Sequence, residues 1–175
     1  MEKIAVLIPC YNEEKSLNKV INDIKNNIKE YKDYTIFVID NNSTDQSAQI
    51  AIDNGCTLIK ETNQGKGNVI KRAFQDIDSQ AYFMIDSDDT YGVKSISLVL
   101  NDKYDMVIGD RLSTTYYTEN KRVFHNVGND LVRLGINKLF KGNVNDILTG
   151  YRCFSNRFVK TFPVMSDGFQ IETEM

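Results

Sequence analysis

An apolar run, Tyr82 to Ile85, delivers Asp86, Ser87, Asp88 and Asp89 at its end. The run is short and rich in β-forming residues, so it reads as a buried strand. Carboxylates clustered where such a strand stops lie at the carboxyl edge of a sheet, where open α/β folds place ligands. Like charges this close repel and need a cation or a shared proton. A hard divalent ion held by oxygens, Mg²⁺ or Mn²⁺, meets that need and would bridge to the phosphates of a substrate. The same residues also suit an acidic turn that caps the next helix. D-S-D-D alone leaves both readings open.

Three other polar clusters follow strands, or nearly so. They are Pro9-Cys10-Tyr11-Asn12-Glu13-Glu14, D-N-N-S-T-D at Asp40 to Asp45, and N-Q-G-K-G-N at Asn63 to Asn68. Asp40 ends its strand as an acceptor suited to a base or ribose. Gly65 and Gly67 let backbone approach a ligand closely, and Lys66 offers a cation. Each cluster also has a local reading: Asp40 to Asp45 makes a turn and N-cap, Gly65-Lys66-Gly67 a helix entry, and Glu13 and Glu14 complement a helix dipole. Taken together, four such loops at one sheet edge make one crevice. The other phosphate-binding designs do not fit. The first turn has no glycine, as a G-x-G-x-x-G unit requires, and Gly65-Lys66-Gly67-Asn68 is not a P-loop. The acidic pair of a phosphoacceptor domain is also missing from its place after the first strand.

The elements that must carry these loops alternate. Strands are expected at Ile4 to Ile8, Thr35 to Ile39, Thr57 to Ile59, Tyr82 to Ile85 and Met106 to Ile108. Helices are expected from Glu13 to about Glu30, from a cap at Ser43 or Thr44 to Asn54, from Gly67 to about Asp76 and from Val93 to Asn101. Gly55 should end the second helix. Repeated β-α-β units with apolar strands predict a mostly parallel sheet covered by helices on both faces, an α/β, Rossmann-like architecture. Beyond Gly109 the pattern changes to a polar loop at Ser113 to Asn120, then a long amphipathic helix near Arg122 to Phe140.

At 175 residues the chain reads as a single domain, 1–175. Cys10, Cys56 and Cys153 are odd in number and lack metal-like spacing, which fits a reducing compartment. The start reads as no signal peptide, and no apolar run approaches the roughly 20 residues that span a bilayer. Charge is uneven. Asn120 to Lys160 holds eight basic and two acidic residues, a local +6 in a chain of −3 overall. Such clusters favour phosphate groups or anionic membranes, though a solvated helix face looks the same.

The motifs resemble those of family-two glycosyltransferases of the GT-A fold. I-P-C-Y-N-E-E, V-I-D-N-N-S-T-D, N-Q-G-K-G-N-V-I-K-R-A-F and D-S-D-D carry the resemblance. G-D-R at Gly109 to Arg111, D-I-L-T-G-Y-R at Asp146 to Arg152 and G-F-Q-I-E-T-E at Gly168 to Glu174 look like the branch of dolichyl-phosphate mannosyltransferases and bacterial polyprenyl-phosphate sugar transferases. The resemblance implies inverting transfer from a nucleotide-diphosphate sugar, UDP- or GDP-linked, to a polyprenyl-phosphate lipid. It places the protein in the cytoplasm at the inner face of the membrane, with no nucleic-acid partner. Pro9, Tyr11, Glu13 and Asp40 would hold the nucleoside, with Lys66 and Gly67 near it. Asp86 and Asp88 would bind Mg²⁺ or Mn²⁺ on the diphosphate. Arg111 and Arg122 would engage the diphosphate or the acceptor phosphate, and Arg152 is a further phosphate partner. Asp146 would orient a phosphate acceptor or act as base toward a hydroxyl. A glycan or other hydroxyl acceptor, or a non-catalytic nucleotide-sugar binding module, are the alternatives. Thr90 stands where some relatives have a Gln metal ligand, and relatives continue beyond the point where this chain stops.

Overall fold

In β1 (Glu2–Cys10), Ile4, Val6 and Ile8 join one apolar cluster while Ala5 and Leu7 join another. Successive strand residues face opposite sides, so a strand that is apolar throughout needs cover on both. β4 (Ser79–Met84) behaves likewise, with Phe83 in the first cluster and Tyr82 and Met84 in the second. The computed structural model describes residues 2–28, 33–86, 103–109 and 150–175, together with Lys138.

Helices supply the cover. α1 (Leu17–Asn27) buries Leu17, Val20, Ile21 and Ile24, and α2 (Ser47–Asp53) buries Ala51, all in the first cluster. On the other face, α3 (Lys66–Asp76) buries Val69, Ile70, Ala73 and Phe74. Side chains as fully enclosed as Leu17 and Ile21 contribute about 1.5–3 kcal/mol each. β2 (Tyr34–Asp40), β3 (Thr57–Lys60), β5 (Met106–Ile108) and β6 (Arg152–Ser155) complete a six-stranded sheet of order β3-β2-β1-β4-β6-β5. Two short helices, α4 (Asn156–Thr161) and α5 (Ile171–Glu174), close the described chain.

Register aligns the strand ends that matter. β1, β2, β3 and β4 are mutually parallel, with Cys10 opposite Asp40, Asp40 opposite Lys60 and Leu7 opposite Met84. Their carboxyl ends therefore share one edge, as the alternating pattern predicts. β6 departs from it, running antiparallel to both β4 and β5. No strand was expected at Arg152 to Ser155. Its four residues are all buried, yet two are polar, so it shows neither an apolar run nor alternation.

Two helix starts also differ from expectation. α1 begins at Leu17 rather than Glu13, because residues 12–14 give their N–H groups to the following loop and Asn12 takes a left-handed φ of 54°. α2 begins at Ser47, with no side-chain cap from Ser43 or Thr44. Ser43 Oγ accepts instead from Asn12 N–H at 3.0 Å. Its end matches, with Gly55 at φ 71°. The helix expected at 93–101, the loop at 113–120 and, apart from Lys138, the helix expected at 122–140 lie outside the described residues.

Candidate active site

Two loops at the shared edge are stitched together backbone to side chain. Asn12 N–H donates to Ser43 Oγ at 3.0 Å, Glu13 N–H to Ser47 Oγ at 2.8 Å and Glu14 N–H to Asp45 Oδ2 at 3.0 Å. In return Thr44 N–H donates to Asn12 Oδ1 at 2.8 Å and Gln46 N–H to Glu14 Oε2 at 3.2 Å. These reciprocal bonds satisfy loop backbone that would otherwise lack partners. The acidic and amide residues of both motifs thus hold the loops rigid.

The third loop hangs on one side chain. Asn41, 5% exposed, donates through Nδ2 to the carbonyls of Glu61 at 3.0 Å and Asn63 at 2.7 Å. Its Oδ1 accepts from Gly65 N–H at 2.8 Å, while its own carbonyl accepts from Gln64 Nε2 at 2.7 Å. Asn41→Ala strips three of these bonds from a buried site and is expected to cost about 2–4 kcal/mol. Thermal unfolding, with amide exchange at residues 61–65, measures that loss. A change below about 1 kcal/mol would contradict it.

Together these loops wall a cavity of about 420 Å³, a volume within the range of small-molecule sites. Pro9, Tyr11, Glu13, Lys66 and Asp86, all expected binding residues, line it. Glu13 is held by Ser16, whose hydroxyl donates to its carboxylate at 2.6 Å. Tyr11 and Phe169 present exposed rings at 51% and 75%.

Three other expected residues are not on its walls. Asp40 is 3% exposed, and its carboxylate accepts from Ser43 N–H at 3.1 Å. Arg152 is fully buried and donates to the backbone carbonyl of Glu172, tying α5 to the sheet. Gly67 serves chain packing, since a Cβ there would lie 1.8 Å from the Ser166 carbonyl oxygen. Gly65 is similarly placed, 2.2 Å from the Asp167 oxygen. The close approach these glycines permit is to residues 166–168, and Gly65 also lines the cavity. Asp88, Arg111, Arg122 and Asp146 lie outside the described residues.

The electrostatic centre joins α3, the end of β4 and α5. Lys66 Nζ lies 2.7 Å from Asp86 Oδ1 and 2.6 Å from Glu172 Oε1, and its side chain is 8% exposed. Burial alone would lower its pKa, but the two carboxylates outweigh burial and raise it. The ammonium also sits 6.0 Å from the Phe169 ring centroid. Glu172 and Phe169 were legible only as parts of a motif, and nothing in their spacing assigned Phe169 to the cavity or Glu172 to Lys66.

Asp86 lies in a cradle that only glycine permits, since a Cβ at Gly150 would fall 1.8 Å from its Oδ2. A fixed, partly exposed carboxylate at the carboxyl edge fits a hard divalent cation in donor chemistry. Among the described residues no group of three or more His, Cys, Asp or Glu side chains is disposed to hold a metal alone.

Comparison with known proteins agrees with this fold. The model of the family "Glycosyl transferase family 2" matches residues 5–165. The protein RfbJ of Shigella flexneri is 49% identical over 112 residues, which cover 62% of this chain and 84% of that protein. Glycosyltransferase AglJ of Haloferax volcanii is 32% identical across 99% of this chain and 57% of its own length. A dolichyl-phosphate hexose transferase of Haloferax volcanii is 30% identical over 87% of this chain and 66% of its own. Among solved structures, glucosyl-3-phosphoglycerate synthase from Mycobacterium tuberculosis, in complex with Mn²⁺, UDP and phosphoglyceric acid, has a TM-score of 0.76 at 20% identity. The match covers 98% of this chain and 61% of the synthase. The chain therefore spans about three fifths of AglJ and of that synthase. With a family model running through most of its length and the sheet to match, the chain belongs to glycosyl transferase family 2, a family of sugar-transferring enzymes.

Proposed function

We propose that this chain transfers a sugar from a UDP- or GDP-linked donor to a polyprenyl phosphate, with Asp86 and Asp88 holding Mg²⁺ or Mn²⁺. The observation that carries this reading is the cavity at the carboxyl edge, where Asp86 and Lys66 meet beneath Pro9, Tyr11 and Glu13. An exposed tyrosine ring offers a stacking face for a base, and Glu13 accepts hydrogen bonds beside it. A bound divalent cation would neutralise charge that builds on the departing nucleotide. Arg111 and Arg122 supply fork-shaped donors for phosphate oxygens. Asp146 orients the acceptor when it is a phosphate, because such an acceptor is already anionic. Complexes of the fold neighbour with Mn²⁺ and UDP-glucose support the donor class.

The lipid acceptor has two supports: the relative that is a dolichyl-phosphate hexose transferase, and the basic run from Asn120 to Lys160. Among the described residues no helix is long and apolar enough to cross a bilayer. A second reading takes a small phosphorylated hydroxyl acceptor, as the synthase neighbour does with phosphoglyceric acid.

A thermal-shift panel of UDP and GDP, each with and without Mn²⁺, tests the donor site. Ligand at about 100 times its Kd adds roughly 2.7 kcal/mol, or about 5–10 °C for a chain this long. A manganese-dependent shift with one nucleotide is the expected result and identifies the base. No shift with either would remove the donor assignment. Product analysis with undecaprenyl phosphate against 3-phosphoglycerate then separates the two acceptors.

A further inference from the structure

Lys66 is a single cation shared by two carboxylates in a nearly closed place, and the two partners differ in what else they can do. Asp86, 27% exposed, lines the cavity, whereas Glu172, 12% exposed, is held from behind. Its backbone carbonyl accepts from buried Arg152, and the adjoining Ile171 is fully buried. Glu174 fixes the approach to α5 by accepting from Met165 N–H and Ser166 N–H, both at 2.7 Å. Glu172 is therefore anchored and cannot follow Lys66 elsewhere.

We propose that Glu172 is a positioning residue for the donor site, keeping the Lys66 ammonium paired when a divalent cation claims Asp86. The inference rests on the reading of Asp86 as a cation ligand. An ammonium 2.7 Å from Asp86 competes directly with any cation for that carboxylate. Expelling Lys66 altogether would strand a buried charge, which is strongly unfavourable. Glu172 already bonds the same ammonium at 2.6 Å, so Lys66 gives up one partner without leaving its place. The trio carries one net negative charge, which suits it to accept a divalent cation and then a diphosphate.

Mn²⁺ binding to the full chain without nucleotide, followed by electron paramagnetic resonance, provides the test. Glu172→Gln should weaken Mn²⁺ binding at least about tenfold, because the ammonium then has Asp86 alone. In a Lys66→Met background the same change should cost less than about threefold, since no ammonium needs a second home. An equal or larger loss in that background overturns the proposal and makes Glu172 a direct attractor of the cation. A purely structural role for Glu172 would lower the melting point without this dependence on Lys66. Asp86→Asn that retained native Mn²⁺ affinity would instead remove the cation reading itself. If Lys66→Met fails to fold, the ¹⁵N-detected Lys66 ammonium signal serves. Mg²⁺ should shift that signal in the native chain and abolish it in Glu172→Gln. An unmoved signal overturns the proposal.

Discussion

Asp86→Ala should slow sugar transfer by on the order of a thousandfold while the fold persists, the rate equivalent of several kcal/mol of lost cation stabilisation. The two consequences separate because Asp86 sits at a strand end and stays partly exposed, whereas Lys66 keeps a second anion in Glu172. No buried charge is left alone, so the melting point should fall by only a few degrees, within roughly 1 kcal/mol. Steady-state rates at saturating Mn²⁺, paired with a melting curve, measure both. A loss below tenfold would exclude Asp86 from the chemistry.

Gly65→Ala should cost about 3 kcal/mol or more and lower the melting point by roughly 6–12 °C. Two effects act together. The residue sits at φ 130°, which L side chains rarely adopt, and its Cβ would lie 2.2 Å from the Asp167 carbonyl oxygen. That neighbour is backbone and cannot rotate away. Gly67→Ala meets the Ser166 carbonyl oxygen at 1.8 Å and should be comparably damaging without the φ penalty. Gly55 is the control. It has a φ of 71° but nothing within 4 Å, so Gly55→Ala should show backbone strain alone, about 1 kcal/mol. Should Gly65→Ala and Gly55→Ala prove equally mild, the packing of residues 166–168 on α3 is not what holds the cavity wall.

Much of this architecture was legible in the residues. The apolar runs of β1 and β4 require cover on both faces, and the helices that alternate with the strands make those strands parallel with their ends together. Lys66 and Asp86 could be placed at that edge from spacing alone. What stayed hidden is side-chain work inside loops. Asn41 and Asp40 stand side by side in one motif, and only the folded geometry shows that Asn41 lines the cavity while Asp40 does not. Ser43 and Thr44 are good caps by type, yet their hydroxyls are drawn to Asn12, 31 and 32 residues earlier. Glu172 reaches Lys66 across 106 residues, a distance over which periodicity carries no signal. β6 was missed for a related reason, since its Arg152 is tied inside the sheet by a bond to a carbonyl in α5, far along the chain from any neighbour in sequence pattern.

The sheet order has a consequence for how the chain acquires its shape. β1 to β4 pair among themselves within residues 2–84, whereas β5 has β6 as its neighbour and must wait for residues 152–155. Non-local pairing of this kind slows folding, because loop closure precedes its reward. As the chain emerges N-terminus first, four strands can consolidate while the apolar edge of β4 stays open, a template for unwanted pairing with other chains. β6 covers that edge, and the residues after it bring in Glu172, so the step that protects the half-built sheet also completes the cavity. A nascent chain therefore completes this cavity only after its parallel strands have paired.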